Sequence, residues 1–126
     1  SEKNNLNVDF YSAGVKDLKL DFDTAINLYR LIQEGLNNIN KHARADNVII
    51  RLVASSPNII LRIEDDGRGF DVDNRLSKAL KEKRMGLSNM EERVSLLAGK
   101  MDIKSQIGRG TRIFIEVPWQ EKNNGR

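Results

Sequence analysis

Leu6-Asn7-Val8-Asp9-Phe10-Tyr11 alternates apolar and polar side chains and predicts a strand, closed by the turn Ser12-Ala13-Gly14. A helical period follows. Ala25, Leu28, Ile32, Gly35, Leu36, Ile39 and Ala43 recur at three- and four-residue steps, so residues 24–43 read as a long amphipathic helix with Asp23 as its N-cap. Val48 to Val53 and Ile59 to Ile63 are dense in β-branched residues and flank Ser55-Ser56-Pro57-Asn58, the pattern of a hairpin with a longer loop. The apolar period then fails. Residues 71–85 are rich in charge, with Leu76, Ala79 and Leu80 as the few anchors, and predict a mobile segment or a weak helix. Leu87, Met90, Val94 and Leu97 restore helical spacing, and Gly99 is a natural stop. Lys100 to Lys104 and Arg112 to Val117 predict two closing strands around Gly108-Arg109-Gly110, ended by Pro118.

The order is strand, helix, two strands, charged segment, helix, two strands. It lacks the regular strand–helix alternation of a parallel doubly wound fold. It predicts an α/β two-layer sandwich, a mixed sheet with the helices on one face.

Composition narrows the class. At 126 residues the chain is one domain with enough length to bury a core. With 39% hydrophobic and 31% charged residues it is globular, neither disordered nor membranous. No apolar run approaches the roughly 20 residues of a spanning helix, and the polar start Ser1-Glu2-Lys3-Asn4-Asn5 has no signal-peptide pattern. There is no cysteine, which excludes disulfides and thiolate metal sites and fits a reducing cytoplasm. A net charge of +3 is too small a surplus to argue for nucleic acid. Both ends are polar. The expected core is about residues 6–118, residues 119–126 are expected to fray, and the chain is expected to be part of a longer protein.

Four stretches carry candidate chemistry. Glu34, Asn38 and Lys41 share a face of the long helix, and His42 follows. Mg²⁺ takes oxygen ligands, few from protein and the rest from water and phosphate, so an Asn carbonyl with a nearby Glu suits it. A Lys one turn on suits a phosphate oxygen. Most charged stripes are only solvated faces, but Asn37, Asn38 and Asn40 are poor helix formers clustered mid-helix, which propensity does not explain. His42 alone is more often structural than a ligand, and there is no second histidine. Next comes Glu64-Asp65-Asp66-Gly67-Arg68-Gly69-Phe70. A carboxylate there can accept from the exocyclic amine of a base, and glycines let a ligand approach the backbone, although alone the run also reads as an ordinary turn. Gly86-Leu87 before the second helix offers a helix N-terminus to a phosphate, or is a plain loop glycine. Gly108-Arg109-Gly110-Thr111 reads first as a hairpin turn. There is no P-loop, no Gly-x-Ser-x-Gly and no Cys/His pair, and the basic residues are not interleaved with aromatics.

The series Glu34-x-x-x-Asn38-x-x-Lys41-His42, Asp65-x-Gly67-x-Gly69, Gly86-Leu87 and Gly108-x-Gly110-Thr111 resembles the ATP-binding catalytic domain of two-component sensor histidine kinases. That domain belongs to a wider superfamily with gyrase B, the Hsp90 chaperones and the MutL repair proteins. Residues 28–34, 41–45 and 86–94 resemble the subgroup paired with response regulators of the LuxR type, and the likeness covers about residues 6–118. It implies a Bergerat-type fold with a mostly antiparallel sheet, and ATP and Mg²⁺ as ligands. It implies Asn38 on Mg²⁺ with Glu34 close by, Lys41 and His42 toward phosphate or ribose, and Asp65 on the adenine amino group. Gly67 and Gly69 would line the base pocket, Thr111 would support Asp65 through a water, residues 71–85 would be the ATP lid, and Gly86-Leu87 would close over the phosphates. Many relatives carry a Gly-x-Gly before the second helix, where this chain has Arg84 at the first position. The phosphoacceptor histidine of such kinases lies in a separate helical domain, and the single histidine here is His42. Partners implied are that dimerisation domain and a downstream response regulator, with no nucleic acid and no membrane contact by this cytoplasmic domain. Alternatives are an anti-sigma-factor serine kinase, or an ATP-dependent regulatory or ATPase module of the same superfamily.

Overall fold

A computed structural model of the chain describes residues 6–70 and 78–119. In order these form β1 (Asn7–Ala13), α1 (Phe22–His42), β2 (Asn47–Ser55), β3 (Asn58–Asp65), α2 (Lys78–Leu96), β4 (Lys100–Gln106) and β5 (Gly110–Pro118). The five strands make one sheet in the order β1-β2-β3-β5-β4. β1 pairs with β2 in parallel, and the other three pairings are antiparallel. This is the mixed, mostly antiparallel sheet expected. The parallel pair requires a crossover, and α1 supplies it.

Alternation decides which face is covered. Ile59, Leu61 and Ile63 of β3 and Ile113, Ile115 and Val117 of β5 are buried, while Arg62, between Leu61 and Ile63, and Arg112, before Ile113, are exposed. The buried set packs with Leu28, Leu31 and Ile39 of α1 and Leu87, Met90 and Val94 of α2 in one core. Each such side chain contributes roughly 1.5–3 kcal/mol by leaving water. A Cβ on Gly35 would stand 2.7 Å from Ile63 Cδ1, so that glycine lets α1 lie close on β3. The outer face is polar, with the Arg62 guanidinium 5.2 Å from the Phe114 ring centre and that of Arg51 5.5 Å from Tyr11. Among the described residues no helix is long and apolar enough to cross a membrane.

Three sequence expectations need correction. The N-cap of α1 is Asp21, not Asp23: Asp21 accepts from the Thr24 backbone N–H at 3.3 Å and from the Thr24 hydroxyl at 2.6 Å. Of the predicted stripe of α1, Leu28, Gly35, Ile39 and Ala43 are buried and Ile32 and Leu36 partly buried, but Ala25 is exposed and Leu31, outside that stripe, is fully buried. The second helix begins at Lys78 rather than Leu87 and runs through Gly86. Lys78 to Met85 are mostly strong helix formers, and their summed propensity carries the helix where no apolar period does. Of the segment expected to be a lid, residues 71–77 lie outside the described residues and residues 78–85 are helical.

Candidate functional site

The C-terminal end of α1, the end of β3 and the β4–β5 hairpin meet at one corner of the sandwich. The run after β3 is clamped there on both sides. The Arg68 N–H donates to the Ala43 carbonyl at 2.7 Å, and Arg68 Nε donates to the His42 carbonyl at 3.1 Å. The Gly108 N–H donates to the Arg68 carbonyl at 2.6 Å. A Cβ on Gly67 would collide with the Ala43 carbonyl, and one on Gly69, at φ +66°, with the Gln106 carbonyl. The protein's own packing therefore demands both glycines, whatever else they line.

Within this clamp Asp65 is 9% exposed, and its Oδ1 accepts from the Gly67 N–H at 2.8 Å. Thr111 pairs with Asp65 in the β3–β5 register and is 4% exposed. Its hydroxyl lies 2.8 Å from that of Ser105, which donates to the Gly110 carbonyl at 3.1 Å and accepts from the Phe70 N–H at 2.9 Å. A serine hydroxyl has one proton, and Gly110 takes it. Thr111 therefore donates to Ser105 and presents only lone pairs elsewhere. It fits a water that donates both to it and to a carboxylate, rather than a direct bond to Asp65. Ser105 was not singled out from sequence. Its signal was a hydroxyl where Met101 and Ile103 had set an inward apolar period.

Asp66 has a different task. Its Oδ1 accepts from the backbone N–H groups of Asp46 and Asn47, both at 2.9 Å, and its Oδ2 from Asn47 Nδ2 at 2.8 Å. Desolvation pushes its carboxyl up, but the bonds from Asn47 and Asp46 outweigh it and hold the pKa below the ordinary 3.8. A depressed folded pKa means that the contribution is complete above the unfolded value and fades as pH falls through the folded one. Asp66→Ala should cost about 1 kcal/mol at pH 7. The deficit should shrink below the ordinary carboxylate pKa, read as melting temperatures of both proteins from pH 7 to pH 3.

The second cluster lies five residues back along α1, about 7.5 Å of helix rise from Ala43. Asn38 is 6% exposed and Glu34 half-buried one turn before it. Both face α2: a Cβ on Gly86 would stand 3.0 Å from Asn38 Oδ1 and 3.4 Å from Glu34 Oε2. Mid-helix glycine costs about 1 kcal/mol relative to alanine, and this close approach explains it. The expectation that Gly86-Leu87 opens a helix is overturned. Gly86 is interior to α2, where helix hydrogen bonding occupies its amide, and Leu87 is a core side chain at 5% exposure. Lys41 is exposed on the last turn of α1 and His42 half-buried. Among the described residues no three His, Asp or Glu side chains converge to hold a metal. Asn38 and Glu34 offer the sparse oxygen set suited to a cation that brings water and phosphate with it.

Among the described residues, the buried polar or charged side chains are Asn38, Asp65 and Thr111. An open cleft of about 560 Å³ on the β4–β5 hairpin adjoins this corner at Ser105 and Gly110 and is lined also by Lys104, Arg109 and Arg112.

The family described as histidine kinase-, DNA gyrase B- and HSP90-like ATPases matches residues 23–121. The chain belongs to this ATPase family. Within it, the chain is 42% identical over 98 residues to the sensor histidine kinase ComP of Bacillus subtilis, covering 78% of this chain and 12% of that protein. It is 40% identical over 103 residues to the signal transduction histidine-protein kinase/phosphatase DegS of the same organism, covering 82% and 26%. The chain thus spans about an eighth and a quarter of these relatives. The fold matches the histidine kinase domain of a blue-light activated kinase from Erythrobacter litoralis at a TM-score of 0.69 and 24% identity, over 92% of this chain and 52% of that one. It matches the mycobacterial sensor histidine kinase MprB at 0.67 and 19%, over 94% and 85%. These ATPase-family structures share the two-layer sandwich and sheet described above.

Proposed function

We propose that the chain is the ATP-binding catalytic domain of a two-component sensor histidine kinase. In this reading it binds Mg-ATP and delivers the γ-phosphate to a histidine on a separate helical dimerisation domain. The observation that carries it is the set of buried polar side chains. Asn38, Asp65 and Thr111 are withdrawn from water at the two ends of one corner. They are the buried polar or charged side chains among the described residues, and they fall on the motif positions that the family resemblance assigns to magnesium and to adenine.

Asp65 accepts from the adenine amine while the Gly67 N–H holds its other side, and Thr111 supports it through a water. Gly67 and Gly69 shape the turn that presents Asp65. Asn38 would hold Mg²⁺, with Glu34 beside the metal and its waters, and the bound ion would neutralise phosphate charge. Lys41 and His42 reach the phosphate and ribose side. Transfer needs mainly positioning and charge neutralisation. The acceptor imidazole attacks the γ-phosphorus, its bond to the β-phosphate oxygen breaks, and ADP leaves. Glu34 is the group on this chain suited to take the proton the imidazole releases. The reading places the domain in the cytoplasm and a response regulator downstream. Both Bacillus relatives carry histidine-kinase names, which does not favour the serine-kinase alternative.

Because the acceptor histidine is expected on another domain, the chain alone should bind Mg-ATP yet release little phosphate. A colorimetric phosphate assay beside calorimetry checks this. Binding with brisk, sustained phosphate release points instead to an ATPase of the same superfamily.

A further inference from the structure

Among the described residues, the buried side-chain nitrogens without a hydrogen-bond partner are Arg84 Nε and Nη2 and Trp119 Nε1. Arginine stays charged, so closing two of its donors off from both water and acceptors is unfavourable unless something else supplies the acceptor.

Its place along the helix pair narrows what that can be. α1 and α2 run antiparallel: Gly86 faces Asn38 and Glu34, Met90 faces Gly35, and Arg93 Nη1 donates to Asn27 Oδ1 at 2.8 Å. Going back from Gly86 to Arg84 therefore leads toward Lys41 and His42. Arg84 lies one turn before the buried Leu87, at the edge of the core-facing stripe, and is itself partly buried. A helix that continues through Gly86 spends the backbone amides there on its own ladder, so they are not available to a phosphate. Nε and Nη2 form the side-on fork of a guanidinium, whose two parallel N–H groups match two oxygens of one phosphate.

We propose that Arg84 is a ligand of the nucleotide's outer phosphates, replacing by a side chain the backbone donors that the continuous helix withdraws. The inference rests on the ATP-binding reading above and extends it to a residue that departs from the glycine of many relatives.

The test is calorimetric titration of the chain with Mg-ATP and with adenosine, for the natural protein, Arg84→Met and Arg84→Lys. Arg84→Met should weaken Mg-ATP by about 10- to 100-fold and leave adenosine within about twofold. Its melting temperature without nucleotide should stay the same or rise, because an unsatisfied charge is removed. Arg84→Lys should recover part of the loss, keeping charge without the fork. Mg-ATP affinity unchanged in Arg84→Met, parallel loss of ATP and adenosine, or unfolding of the free variant would each overturn the assignment. If Asp65→Asn abolishes ATP binding while Arg84→Met leaves it intact, only this inference fails. If the natural protein does not bind ATP, the nucleotide reading fails with it.

Discussion

Asp65→Asn should abolish adenine recognition, lowering Mg-ATP affinity by about 100-fold or more while the fold survives. The substitution is nearly isosteric, and the Asn carbonyl can still accept from the Gly67 N–H that Asp65 Oδ1 now binds at 2.8 Å. What changes is the other side. An amide that keeps its oxygen on Gly67 turns its NH₂ outward, so a donor meets the donor of the adenine amine. Thr111 cannot repair the loss, since its proton is committed to Ser105 and it presents lone pairs only. Calorimetry with Mg-ATP, beside a thermal melt, reads both halves of the expectation. Full affinity in the variant means that the base is not read by Asp65.

Asn38→Asp should separate transfer from binding. The base end is untouched, so Mg-ATP affinity should fall by no more than about tenfold, whereas phosphotransfer in the full-length protein should fall by about 100-fold or more. Asn38 supplies a neutral oxygen beside the Glu34 carboxylate. An aspartate there adds a second negative charge in a buried position facing the backbone of α2, where charge meant to offset phosphate becomes charge that repels it. Asn38→Ala removes the oxygen without adding charge and should show the same split. Equal losses in affinity and transfer would place Asn38 in uniform substrate binding instead. The measurement is single-turnover transfer from labelled ATP beside an equilibrium titration.

The strands were legible because one face of the sheet is covered and the other is wet. Ile59, Leu61 and Ile63 alternate with exposed or partly exposed partners, and burial follows that alternation. The start of α2 was only half legible: residues 71–85 read as a mobile segment or a weak helix, and 78–85 are helix. Periodicity reports amphipathic helices, and Lys78 to Met85 form helix without an apolar stripe. The cap of α1 was misplaced because Asp21 and Asp23 have equal capping chemistry. Backbone geometry chose between them, Asp21 being extended at φ −69° and ψ 160°. The stripe of α1 was legible at Leu28, Gly35, Ile39 and Ala43 but missed its other edge at Leu31 and Asn38. Asn38 occupies a buried position, so a polar residue interrupts the stripe that hydrophobicity alone would draw. At the site, sequence singled out Asp65, Asn38 and Thr111, all withdrawn from water. It missed Ser105, which bonds Thr111, Gly110 and Phe70 at this corner, and it missed why Gly67 and Gly69 are glycines. Both depend on contacts between segments distant in the chain.

The central claim is that one nucleotide spans the Asp65 corner and the Asn38 face of α1. Amide chemical-shift mapping during an Mg-ATP titration tests it most directly. The account predicts that Asp65, Gly67, Gly69 and Thr111 shift together with Glu34, Asn38 and Lys41 along a single saturable binding curve, and that the adenine-side shifts vanish in Asp65→Asn. Shifts confined to the hairpin cleft of Lys104, Arg109 and Arg112, with both clusters silent, would contradict it.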